Sequence, residues 1–239
     1  MAVDPIKPRI LPHLFKDLLL DLEDRLRAEA LKAFEMIRDH SGLNKKRARE
    51  AEGQARFRMM EQGFEEVCKL HGGHLLEGGV MPETELPVFQ PFMRFEAEEK
   101  GIILGLASIP EPSVLPTKNK SRLAGVTINY DLIPRLDFDG KGPKIGDIFV
   151  LLLVSRDREK PGKIEEIAVG VIDSAYKYFL FYEPLGKFLS EKSESDTVAP
   201  EPPTPPVPLS APVVSLKKHP TPFVPPEAPA NDDKNAEND

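Results

Sequence analysis

Apolar residues recur at intervals of three and four through the first forty positions. Phe15, Leu19, Leu22, Leu26, Ala30, Ala33 and Ile37 share one helix face, and Leu14, Leu18, Leu31 and Phe34 widen it. Pro12 suits the first turn, where its missing N–H is not needed, and Ser41-Gly42 supplies a stop. A second helix starts at Asn44, a good N-cap, with Phe57, Met60, Phe64, Val67 and His71 as its seam and Gly72-Gly73 as its end. Its first half is thinner, with only Ala48, Ala51 and Ala55 on that side. Gly53 and Gly63 each weaken the interior by about 1 kcal/mol relative to alanine, although a small residue also lets a neighbour come close. The link at Gly42-Leu43 is so short that the two helices should lie antiparallel.

From Val80 the period changes towards two. Val88 to Ala97 alternates in part, with Pro91 placing that strand at an edge or a bulge. Gly101 to Ser108 is apolar on both faces and reads as a central strand. Leu123 to Tyr130 alternates, Leu132 to Phe138 is a short run, and Asp147–Ser155, Ile164–Asp173 and Tyr176–Tyr182 are strong β-rich runs. The last four are separated by brief turn signals, so an antiparallel meander is expected. Leu185 to Leu189 makes a terminal helical turn.

The reading is an α+β fold: an antiparallel helical hairpin over residues 1–78, packed as one domain on a mainly antiparallel sheet over 79–190. Residues 191–239 hold 12 of the 25 prolines and a single aromatic, Phe223. Such a segment cannot bury enough apolar surface to offset ordering, so a disordered, Pro-rich acidic tail follows. Its PxxP stretches, Pro203–Pro206 and Pro222–Pro225, suit a spacer, with Phe223-Val224 a candidate docking peptide.

Charge narrows the partners. The net charge is −7, and the tail carries nine acids against four lysines, which leaves the body near −2. Strong global attraction to nucleic acid or an anionic membrane is therefore not supported. The single cysteine, Cys68, argues for a reducing compartment, and Asp4 with two early prolines argues against a secretory signal. The longest apolar run, Ile148 to Val154, is too short to span a bilayer. A cytoplasmic protein is expected.

Candidate chemistry is sparse. Cys68, His71 and His74 have three-residue spacing, but zinc wants a fourth ligand; helix capping by His71 and the glycines explains the run with less. Glu98-Glu99-Lys100 and Asp139-Gly140-Lys141, with Asp131 or Asp147, contain the fragment of a metal-dependent nuclease, a pattern common by chance. Asp137 to Lys141 fails the calcium-loop register and reads as a hairpin turn. No phosphate loop, dinucleotide fingerprint, nucleophile elbow or paired cysteine cluster is present. No catalytic residue and no cofactor is assigned.

The basic residues carry more. Lys45, Lys46, Arg47, Arg49, Arg56 and Arg58 outnumber Glu50 and Glu52 between Asn44 and Met59. Lys118, Lys120 and Arg122 form a second run, and Arg156, Arg158, Lys160 and Lys163 cluster after a strong strand. If these converge they could contact phosphates; otherwise they are a solvated helix face and two exposed turns. On a helix, Lys45, Arg49 and Arg56 fall roughly on one face.

Missing catalytic signatures make a non-enzymatic interaction or adaptor protein the leading expectation. Leu14, Leu18, Leu20 and Leu31 lie outside the narrow apolar seam, which suggests a protein partner or a homodimer through the N-terminal helices. The alternative is a nucleic-acid-binding accessory protein using residues 45–58 and 118–122, with weak, salt-sensitive and sequence-independent binding. A metal-dependent nuclease-like enzyme is third.

Overall fold

Two long helices form the first layer: α2, Lys16–His40, and α3, Lys45–Leu70, preceded by a short α1, Ile6–Ile10. The computed structural model describes residues 6–76, 79–82, 85–96, 101–132 and 146–195, the side chains of Asp131 and of 191–195 excepted. These belong to one compact unit, Met1–Val198. The Pro-rich segment, including Phe223, lies outside the described residues, as do Glu98 to Lys100 and Asp139 to Lys141.

The helices are antiparallel, with Asp21 beside His71 and Arg25 beside Glu66. Asn44 caps α3 as expected, its Oδ1 accepting from the Arg47 N–H at 3.1 Å. Gly63 explains itself by packing. A Cβ there would lie 2.9 Å from Cγ and Nε of Arg25, so the missing side chain is what lets α2 approach.

Six strands follow in the order β1 His74–Leu75, β2 Met93–Phe95, β3 Ile102–Ile109, β4 Ile148–Arg156, β5 Ile164–Ile172 and β6 Phe179–Pro184. Every neighbouring pair is antiparallel except β3 and β4, which run parallel, Ile102 opposite Ile148 through Ile109 opposite Ser155. The sheet is thus mixed, and two meanders meet at one parallel joint. The joint needs a crossover between Ile109 and Ile148.

Here the sequence reading is corrected. Leu123 to Tyr130 was expected as a strand, but Lys120–Thr127 is helix α4, and Ile128–Leu132 continues it as a 3-10 turn. Asn119 caps α4 by accepting from the Arg122 N–H at 2.8 Å. The alternation still finds burial: Ala124, Val126 and Ile128 pack into the second core cluster, and Gly125 sits against the Phe149 ring. Asn129, fully buried, pins the turn by donating to the carbonyls of Phe149 and Ile172 and accepting from the Phe149 N–H.

The central strands are buried on both sides, as continuous apolar runs require. Ile102, Leu104, Leu106, Val150 and Leu152 join Leu18, Leu22, Met60 and Phe64 of the hairpin. Ile103, Ala107, Phe149, Leu151 and Leu153 join Phe92 and the α4 residues. Helix, sheet and crossover therefore make three layers. Leu14 and Leu18, two of the residues that suggested an intermolecular contact, are fully buried within the chain. Leu20 and Leu31 are exposed. The final helix, α5, Leu185–Ser195, runs past Ser190. Among the described residues no helix is long and apolar enough to cross a membrane.

Candidate functional site

The first turns of α3 break a local rule. A helix N-terminus carries a partial positive charge and favours acids, yet Lys45, Lys46 and Arg47 occupy the first turn and no acid does. All three are exposed, as is Arg49, and none of the four has an ion-pair partner among the described residues. Lys45, Lys46, Arg49 and Glu50 share a cleft of about 710 Å³ with Arg156, at the end of β4. Two of the three basic segments meet there.

The third segment is reached from the other end of the run. Arg58 and Lys120 line a second cleft, of about 340 Å³, together with Phe57, Phe89, Gln90 and Asn119. Glu61 sits in it too, held by Arg58 at 2.8 Å and by the Gln90 amide at 3.0 Å. Lys118 stands over the Tyr176 ring, 5.1–5.6 Å contacts of this kind being ordinary cation–π geometry; here the distance is 5.6 Å. Arg122 turns inward and donates to the Thr117 carbonyl at 2.5 and 3.1 Å. It braces the segment that leads into α4 and is buried away from solvent.

Arg56 is the other basic residue that turns inward. It is 5% exposed. Its position four residues before Met60 places it on the core face, a signal already present in the seam. Nη2 donates to the Lys163 carbonyl at 3.0 Å, while Nη1 is buried with no hydrogen-bond partner among the described residues. Burial pushes the Arg56 pKa down, the like charge of Arg156 adds to that, and Glu52 opposes both. Glu52 is itself buried and takes a hydrogen bond on Oε2 from Arg156 at 3.1 Å. The two arginines line a cavity of about 200 Å³ with Gly53 and Ser108, over an apolar floor of Met60, Ile109 and Val154. Its wall is thus formed by α3 and by the carboxyl ends of the parallel pair β3 and β4. The crevice at strand carboxyl ends is where open α/β sheets usually hold ligands.

The remaining candidates do not come together. Cys68 is fully buried, and desolvation pushes its thiol well up from the ordinary value. His71 Nε2 lies 2.7 Å from Asp21 Oδ2, and its ring packs on Phe15 at 5.3 Å. His74 is exposed on β1. Among the described residues no three His, Cys, Asp or Glu side chains are placed to share a metal ion. Of the nuclease fragment only the Asp147 side chain is described. It accepts from Arg94 Nε at 2.7 Å and from the Gly101 N–H at 2.8 Å, so it ties β2 and the start of β3 to β4.

No protein family, curated protein or solved structure matches the chain.

Proposed function

We propose that the chain is a non-enzymatic binding protein whose ligand is a polyanion, with single-stranded or duplex nucleic acid as the test case. The observation that carries this reading is the cleft shared by Lys45, Lys46, Arg49 and Arg156 beside a first turn without acids. A cation at a helix N-terminus is destabilising by about 0.3–1 kcal/mol, and a phosphate placed there relieves it. Places where a sequence breaks a local rule at a cost in stability are where binding sites are expected. Arg58, paired with Glu61, and Lys120 line a separate cleft, where Phe57 and Phe89 offer rings for base stacking.

Binding is expected to be weak and without sequence preference, because the body is near neutral. Three to five phosphate contacts give a log–log salt slope of roughly −3 to −5 on duplex DNA. Fluorescence anisotropy of a labelled oligonucleotide at low salt measures this. The full chain should bind, a chain ending at Ser195 should bind more tightly because the acidic tail no longer competes, and Lys45→Glu/Lys46→Glu/Arg49→Glu should not bind. No saturable binding by either unsubstituted form removes the reading.

A protein partner is the second reading, and it draws on Phe89, which is 70% exposed at the rim of the cleft it shares with Phe57. Solvent-exposed aromatics of this kind anchor interfaces. Affinity capture from the native cell with wild type and Phe89→Asp separates the two. A partner recovered equally by both baits does not use this surface.

A further inference from the structure

The geometry points to a second site, distinct from the exposed basic track: the cavity between Arg56, Arg156 and Ser108 binds a singly charged phosphate oxyanion. Three observations converge on it. Arg56 is almost wholly buried, yet its Nη1 has no hydrogen-bond partner among the described residues, and the residue lines the cavity. A buried charged donor without an acceptor is costly, so an acceptor oxygen beside Nη1 is what Arg56 lacks. Glu52 Oε1 is likewise buried without a hydrogen bond, but it lies 3.0 Å from Arg156 Nη2 and is engaged there as an ion pair. The charge count agrees. Arg56 and Arg156 are both cationic and Glu52 balances one of them, its Oε2 taken up by Arg156 at 3.1 Å; the remaining +1 matches one negative charge.

The space is also made by the sequence. Gly53 sits in the middle of α3, where glycine is unfavourable, and a Cβ built on it would meet nothing within 4 Å. Gly63 in the same helix is needed for packing against Arg25, whereas Gly53 is exposed, lines the cavity and has no side chain against it. Ser108, exposed at the end of β3, adds a hydroxyl donor to the same wall. Two guanidinium groups and a hydroxyl line the space, with more donors than the Lys163 carbonyl and Glu52 take up. That suits a tetrahedral oxyanion with three or four acceptor oxygens better than a planar carboxylate with two. Met60, Ile109 and Val154 keep the floor apolar, which strengthens any charge-assisted hydrogen bond made there.

The phosphate could be free or could belong to a polymer strand lying in the neighbouring cleft, since Arg156 lines both spaces. The test separates these sources and does not depend on the polyanion reading. Inorganic phosphate is titrated into the full chain at constant ionic strength in chloride, by calorimetry, with acetate in parallel. One saturable site for phosphate is expected, with acetate at least tenfold weaker. Gly53→Leu fills the cavity without changing charge and replaces a poor helix former by a good one, so the variant stays folded. It should lose phosphate binding, and Arg156→Gln should weaken it about tenfold. Lys45→Glu/Lys46→Glu/Arg49→Glu should bind inorganic phosphate like wild type even where it has lost the oligonucleotide. If Gly53→Leu also weakens oligonucleotide binding, the pocket takes a backbone phosphate; if it does not, the ligand is free phosphate. No saturable phosphate binding by wild type, unchanged binding by Gly53→Leu, or acetate binding as tight as phosphate would each overturn the assignment.

Discussion

The two halves of α3 are one continuous helix with opposite duties. From Phe57 onward it is built for packing: Met60, Phe64 and Cys68 are fully or almost fully buried, and Gly63 admits the Arg25 side chain of α2. Before Phe57 the helix offers alanines and charges. Lys45, Lys46, Arg47 and Arg49 point to solvent, and of the two charged residues that do turn inward, Glu52 pairs with Arg156 and Arg56 borders a cavity instead of filling a core. A regular helix does not require this asymmetry. The difference shows that the second half holds the fold, while the first half spends helix stability on a charged surface and an open space.

The largest expected effect lies in the packed half. Phe64→Ala should cost about 3–5 kcal/mol, because a fully buried aromatic leaves a cavity the sheet cannot close. Urea unfolding followed by circular dichroism reads this as a lowered midpoint. A loss below about 1 kcal/mol would mean that the hairpin is held to the sheet by something other than this core.

The sharper comparison uses the two glycines. Gly63→Ala puts a methyl 2.9 Å from the Arg25 stem and disturbs its pairs with Glu29 and Glu66, so a net loss of about 1–2 kcal/mol is expected. Gly53→Ala meets nothing and should stabilise by up to about 1 kcal/mol through helix propensity. Opposite signs in paired thermal melts support the division of α3. The same sign at both positions breaks it.

The smallest effect is in the first turn. Lys46→Glu replaces an unpaired cation by an acid at the positive helix end and should stabilise by about 0.3–1 kcal/mol at low salt, fading as salt is added. The same change should weaken oligonucleotide binding. A variant that is more stable and still binds fully would separate the charge pattern from function.

Much of the architecture was legible because it is local. The 3.6-residue recurrence from Phe15 to Ile37, the Asn44 cap and the Gly72-Gly73 stop announced the hairpin, and the doubly apolar run at 101–108 announced a central strand. The Leu123–Tyr130 stretch was misread because short alternation fits a strand and also a helix wedged between two buried surfaces. Asn119, a good N-cap just before the stretch, is the signal that tells them apart. Among the site residues, Arg56 and Arg122 sit inside basic runs that read as outward cations, yet both are buried. The spacing of Arg56 to Met60 already placed it on the buried face.

What the sequence determined by itself was therefore the set of elements whose partners are a few residues away: caps, turns, helical faces, the strands of strong β propensity. It also determined the charge distribution, with basic runs on a near-neutral body. Only the tertiary structure decided that β3 and β4 lie parallel, that Arg156 lines one space with Lys45 and another with Arg56, and that Gly53 leaves a space open while Gly63 closes one. Each of these depends on groups that are distant along the chain, brought together by burial of a separate core on each face of the sheet. Hydrophobic burial is non-directional and sums over many contacts, so a pattern of apolar positions says that a surface will be covered without saying by what.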